Sequence, residues 1–332
     1  MAVSALKKDK FLMLITVLAA AFLYTTCSFT DLFLVSFGIS GEGGIDGAGY
    51  KMYLGQTITL KTSGNLDNNV IQWTPVPAGI VTVENGVVKP TGKCVGKVTI
   101  TASFVGVTET YVVEVIPFDD IAGAASYLDN LGLGSGASKD NPVFLSMKIE
   151  LGDGNSGSGM LNLLTMIGTE GKYVDLDLTE CSITVSETGI FTGSGNVEVV
   201  SFQPYVVILR LPKEGDCILK EFNGDADADE GYINLTRIEG KRVIKIGEYA
   251  FSGCEALEEI CFPALTSIEG NAFLGCANIL KVTIGRDATI GDATLNINGF
   301  TSAYETVYNK QAGTYARSSS DLSGTEDWKL VD

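Results

Sequence analysis

The chain has 332 residues, with 23 Lys plus Arg, 40 Asp plus Glu, no histidine and a formal charge of −17. So acidic a surface repels phosphate and excludes nucleic acid as a partner, and without imidazole no Ser-His-Asp or Cys-His nucleophile and no His-ligated zinc can be assembled. Carboxylate-only acid–base chemistry stays open to an enzyme, and the length allows two or three domains with their own cores.

Lys7, Lys8 and Lys10 precede an uncharged apolar run, Phe11 to Tyr24, that ends in Thr25-Thr26-Cys27. This is the layout of an export signal rather than of a fold element. Leu23 and Thr26 ahead of Cys27 resemble a relaxed bacterial lipoprotein signal, which implies cleavage after residue 26 and a lipid on Cys27. Two other readings stand behind it. Phe11 to Thr30 is long enough to span a bilayer uncleaved, and Ala19-Ala20-Ala21 is an ordinary cleavage site. Loss of residues 1–26 removes three Lys and one Asp and leaves 20 basic and 39 acidic residues, a charge of −19. Six further cysteines (Cys94, Cys181, Cys217, Cys254, Cys261 and Cys276) show no CxxC pair and no zinc spacing, and are expected as core side chains.

Residues 38 to 49, with Gly at six of twelve positions, are expected to be a tether. From Tyr53 the pattern changes to short β-rich segments: Thr57–Lys61, Val70–Trp73, Ile80–Val83, Gly86–Val88, Lys97–Ala102 and Thr108–Val115, with an Asn85-Gly86 turn. Six or seven strands at this spacing predict a β-sandwich with Trp73 at the centre of its core. Leu54-Gly-Gln-Thr-Ile-Thr-Leu60, Ile71-Gln-Trp73, Val81 to Val88 and Gly96 to Ala102 resemble the group 2 bacterial immunoglobulin-like domain. That resemblance implies a stalk or spacer.

After Pro117 and Asp119-Asp120, the sequence predicts a helix near Ala122–Leu131, a strand near Val143–Leu151 and a helix over Met160–Ile167. The loop Gly152 to Gly159 is Gly-rich, but no Gly-Lys-Ser/Thr follows, so it is not a phosphate loop. Tyr173 to Leu178 alternates, with Val174, Leu176 and Leu178 inward and Asp175 and Asp177 outward on a solvated face. Asp225-Ala-Asp-Ala-Asp-Glu-Gly231 begins like a calcium loop, but Gly falls one position late and Thr236 stands at the closing place, so an acidic loop is expected and no metal.

Three segments then superimpose at a spacing of 22 residues: Leu235, Leu257 and Ile279; Ile238, Ile260 and Val282; Ile246, Ile268 and Ile290. The copies Ile246 to Cys254 and Ile268 to Cys276 share Ile, Ala, Phe, Gly and Cys. This period is that of a leucine-rich-repeat solenoid, whose copies must stack to share one core. Val206 to Pro212 matches Leu257 to Pro263 in its spacing to Pro, so stacking is expected to start before the clear copies. Residues 246 to 263 and 268 to 284 resemble the BspA-like leucine-rich-repeat surface proteins, with Gly285 departing from the expected Pro; Gly313 to Arg317 and Trp328 resemble flanks of that family. The resemblance implies surface exposure and binding to host matrix or bacterial proteins.

The expected fold class is therefore mixed β and α/β, an N-terminal immunoglobulin-like β-sandwich followed by a short leucine-rich-repeat solenoid. The expected divisions are a signal peptide at 1–26, lipid anchor and tether at 27–52, sandwich at 53–117, solenoid with its N-terminal cap at 118–300, and a C-terminal cap or tail at 301–332. The expected role is a non-enzymatic envelope lipoprotein, on the outer membrane or cell surface, that binds a host extracellular-matrix or bacterial protein without a cofactor. Its binding face would be the outward strand residues Arg210, Arg237, Glu239, Glu259, Lys281 and Thr283. The alternatives are an envelope enzyme acting on glycan through carboxylates such as Asp175 and Asp177, or a purely structural component.

Overall fold

The computed structural model describes residues 39–41, 50–62, 67–132, 134–152, 159–183, 205–214, 217–219, 232–291, 299–318 and 328–331. The expected export signal, Cys27 and the Asp225 loop lie outside them. The described chain is mostly β with few helices. Among the described residues no helix is long and apolar enough to cross a membrane.

The first eight strands are β1 (Ile39–Gly41), β2 (Tyr50–Met52), β3 (Ile58–Thr62), β4 (Gln72–Val76), β5 (Val81–Glu84), β6 (Val87–Pro90), β7 (Gly96–Phe104) and β8 (Val107–Val115). They form two four-stranded sheets, ordered β1-β3-β6-β5 and β2-β8-β7-β4. Alternation in β7 and β8 turns Val98, Ile100, Tyr111, Val113 and Val115 into a shared core with Leu60 and Val88. The β5–β6 connection uses the expected turn, with Asn85 at φ 52° and Gly86 at φ 80°; two left-handed residues suit the twist of a hairpin.

Two expectations change here. Ile39–Gly41 and Tyr50–Met52, assigned to the tether, instead pair with β3 and β8: an extended backbone can satisfy a sheet edge, and Met52 is buried in the core. Trp73 is half-buried, packed against both the main core and a small cluster of Ile71 and Ala102 that also takes Phe104 and Val107. Its Nε1 donates to the Asn68 carbonyl at 3.3 Å, a polar partner that holds the ring at the rim rather than the core centre.

At the other end of these two sheets the chain passes into the next layer without a free linker. Ile116 N–H donates to the Met52 carbonyl, and Phe118 bonds both ways with the strand beyond it, through Ser146 O at 2.9 Å and Lys148 N at 2.7 Å. The Phe118 ring stacks on Tyr53 at 5.3 Å and lies 5.4 Å from Tyr127. Helix α1 (Ile121–Asp129) starts where the Asp120 carboxylate accepts from Gly123 N–H at 2.7 Å, a standard N-cap. After β9 (Val143–Ser146), shorter than expected, comes α2 (Gly159–Glu170), which buries Leu163, Leu164 and Ile167.

The remaining strands are β10 (Val174–Asp177), β11 (Val206–Arg210), β12 (Cys217–Leu219), β13 (Arg237–Glu239), β14 (Val243–Ile246), β15 (Glu259–Phe262), β16 (Ser267–Ile268), β17 (Lys281–Ile284), β18 (Thr289–Ile290), β19 (Gly313–Ala316) and β20 (Lys329–Leu330). One eight-stranded sheet runs β20-β19-β17-β15-β13-β11-β10-β9, and a second sheet runs β12-β14-β16-β18. Within these sheets β9 to β17 and β12 to β18 pair in parallel. Ile238 faces Ile260 and Ile260 faces Val282, while Ile246 faces Ile268 and Ile268 faces Ile290. The 22-residue offset in sequence is thus one strand step in space.

Between the sheets Leu235, Leu257, Ile279, Phe251, Phe273, Cys254 and Cys276 are fully buried. Phe251 and Phe273 stack at 5.1 Å with planes 4° apart. Gly285 departs from Pro because a Cβ there would lie 2.4 Å from the Leu265 carbonyl oxygen. The array ends on an aromatic cluster: Phe300 packs on Tyr304, Tyr315 and Trp328 at 6.0, 5.6 and 5.1 Å. Tyr304 Oη donates to the Gly285 carbonyl at 2.7 Å and accepts from Ala288 N–H at 2.9 Å. Arg317, also buried, donates to the carbonyls of Ile279 and Ala277 at 2.9 and 3.2 Å and lies 5.3 Å over the Trp328 ring.

Candidate functional site

Side chains alternate on each strand of the large sheet, so every second residue points away from the core. Register then brings outward residues of neighbouring strands side by side. One row runs Phe144, Asp175, Ile208, Arg237, Glu259 and Lys281; the next runs Ser146, Asp177, Arg210, Glu239, Cys261, Thr283 and Thr314. All six residues expected on the binding face are here, on one continuous surface.

They are mutually paired. Asp175 forms a two-point ion pair with Arg210; Arg210 Nε reaches Glu239 at 2.8 Å, and Arg237 reaches Glu239 at 3.0 Å and Glu259 at 3.5 Å. Lys281 closes the series on Glu259 at 2.9 Å. Thr283 is hydrogen-bonded to Thr314 at 3.0 Å. The ladder therefore carries three positive and three negative charges, a neutral ribbon on a chain of charge −17. Arg210 also lies 5.9 Å over the Phe144 ring.

Apart from Arg210, the cations of the ribbon are more exposed than its acids. Asp175 and Glu259 side chains are 17 and 20 % exposed, whereas Arg237 and Lys281 are 39 and 45 % exposed. Burial pushes the Asp175 carboxyl above its ordinary range, against the pull of Arg210. Arg237 Nε is buried without a hydrogen-bond partner. A charged ligand on this face must compete with bonds already made, and the more exposed cations at the Lys281 end give way first.

Asp177 corrects the expected solvated pair. It is 7 % exposed and accepts from Ser146 Oγ at 3.0 Å, Thr179 N–H at 3.0 Å and Thr179 Oγ1 at 2.7 Å. Its neighbours close over it because the turn after β10 folds Thr179 back onto the strand end. Asp175 and Asp177 are thus each engaged, one by a guanidinium and one by hydroxyls and an amide, rather than facing a shared cleft.

A cleft of about 400 Å³ lies beyond the ends of these strands, between Lys148, Thr179, Glu180, Ser182 and Lys213. Lys213 pairs with Glu180, and Ser182 Oγ donates to Glu150. Cys181 borders it, but burial pushes that thiol up to about 12, which leaves it protonated and unreactive. Among the described residues no group of three or more His, Cys, Asp or Glu could hold a metal ion. The five cysteines with described side chains (Cys94, Cys181, Cys254, Cys261 and Cys276) are all free thiols. Sequence reasoning missed Asp175 as a ladder member, since its partner Arg210 lies 35 residues away and outside the clear copies.

Residues 230–322 match the family model described as the BspA type leucine rich repeat region, in six copies. No curated protein and no solved structure matches the chain. The match covers β13 to β19 and so includes Arg237, Glu239, Glu259, Lys281 and Thr283, while Asp175 and Arg210 continue the same sheet outside it.

Proposed function

We propose that the protein is a non-enzymatic cell-envelope lipoprotein that presents its leucine-rich-repeat surface to a protein partner, a host matrix or bacterial surface protein. Cys27 would carry the lipid, the two four-stranded sheets would be an immunoglobulin-like spacer, and the parallel sheets after it a short solenoid. The observation that carries the reading is the continuous ribbon of Asp175, Arg210, Glu239, Arg237, Glu259 and Lys281 on the outer face. A neutral, alternating-charge face on an acidic chain avoids repelling acidic proteins and gives register to a partner with its own alternating charges. The BspA-type match over the same strands supports surface binding.

The test is attachment of purified protein to immobilised matrix proteins and to whole bacteria, with Arg237, Glu259 and Lys281 changed together to Gln. Attachment should weaken and the parent's binding should respond to salt, with the circular dichroism spectrum unchanged. Equal attachment by the folded triple variant refutes this face. In cells, palmitate labelling should be lost in Cys27→Ala; persistent label refutes the lipid assignment.

A further inference from the structure

The register of the sandwich fixes which end the anchor approaches. β1 runs antiparallel to β3 with Ile39 opposite Thr62, so the chain enters beside the end of β3. Asn68 Nδ2 ties that end to the Leu60 and Asn85 carbonyls at 2.9 and 3.2 Å, and Gln72 faces Ser103 next to the β7–β8 turn. Entry point, the 68–71 turn and the 104–107 turn therefore share one pole. The exit, through Val115, Ile116 and Phe118, is at the opposite pole, where Met52 faces Val115. Anchor and repeats are attached in series, at the two ends of the spacer.

The entry pole carries two of the chain's exposed valines. Val105 is 69 % exposed at the turn tip and Val70 is 48 % exposed beside it, over the half-buried Trp73, Phe104 and Val107. Val105 also sits at φ 46°, a left-handed conformation that a β-branched residue adopts at a cost. The Asn85-Gly86 turn at the same pole meets the same geometry with Asn, which tolerates it. Only eleven residues lie between Cys27 and Ile39, and they include Phe29, Leu32, Phe33, Leu34, Val35 and Phe37 with Asp31 as the one charge. Their reach is at most about 43 Å, and so apolar a sequence favours the lipid–water boundary.

We propose that this pole rests on the membrane, with Val70 and Val105 in contact with the lipid surface; the proposal rests on the anchored reading above. Asp67, Glu84 and Glu109 ring the pole as exposed carboxylates, so the surface it suits is zwitterionic rather than anionic lipid.

The test uses the lipidated full chain in phosphatidylcholine vesicles with brominated acyl chains. Trp328→Phe leaves Trp73 as the one tryptophan, and a loss of its emission is expected on brominated lipid alone. Val105→Asn should reduce that quenching while raising the denaturant midpoint, since it relieves the turn. Hydrogen exchange of residues 67–73 and 103–107 in the parent chain gives the same readout should Trp328→Phe misfold: slower exchange on vesicles supports contact. Protein that does not float with vesicles refutes the anchored reading and the contact with it. Protein that floats with Trp73 unquenched and exchange unchanged overturns the contact alone. So does protection of this pole through self-association without vesicles.

Discussion

Truncating Phe251 to Ala tests whether the 22-residue copies share a core. The ring is fully buried and stacks on its counterpart Phe273 at 5.1 Å with planes 4° apart. Core Phe to Ala changes cost about 3–5 kcal/mol through lost burial and the cavity left behind. An aromatic pair adds about 0.5–1.5 kcal/mol beyond its area, so about 4 kcal/mol is expected. With a urea dependence of about 3 kcal/mol per M, the midpoint falls by about 1.3 M. Emission of Trp328 follows it, because that ring packs 5.1 Å from Phe300 at the end of the same array. Phe273→Ala should behave alike, and the double variant should lose less than the sum, by about 0.5–1.5 kcal/mol. An unchanged midpoint for Phe251→Ala refutes the alignment and the shared core together.

Tyr304→Phe removes a buried hydroxyl that bonds Gly285 O and Ala288 N–H; a loss of about 1–3 kcal/mol is expected in the same urea assay. Brief alkylation of native protein near pH 8, mapped by mass spectrometry, should mark half-buried Cys94 and Cys261 before Cys181 and Cys276, whose thiols burial pushes up to about 12. Early modification of Cys276 refutes its place in the core. Burial raises the Asp175 carboxyl, so the folded state holds that proton more tightly than the unfolded chain, and its contribution to stability is lost as pH rises through the raised value. Asp175→Asn should therefore compare better with the parent at about pH 7 than at about pH 3. The opposite trend shows that Arg210 outweighs burial.

The repeat core was legible because a period is a property of the sequence itself: Ile238, Ile260 and Val282 align by counting, and the sheet pairs them as counted. The ladder was only half legible. Outward positions follow from alternation, which placed Arg237, Glu259 and Lys281 on one face, but the pairing of Asp175 with Arg210 depends on a register set by strands without a shared period. Asp177 was misread because alternation gives a direction and not what folds back over it. Trp73 was misread because size argues for burial, while its place at the end of a short strand put it at the rim. The Gly-rich segment before Tyr50 carries no side-chain pattern, so β1 is found only through its pairing with β3, and β2 was missed although Met52 is buried in the core.

β19 runs against β17, and Tyr304 and Arg317 grip named carbonyls of the final copy. Additional coils appended past Ile290 would part Tyr304 from Gly285 and Arg317 from Ile279. A duplication inserted between β15 and β17 would leave both grips intact, since each strand meets only its immediate neighbours. The gene can thus lengthen its protein from within, in steps of 22 residues as from Glu259 to Lys281. Each such step widens the charged face by about 4.8 Å while the terminus that seals it is inherited unchanged.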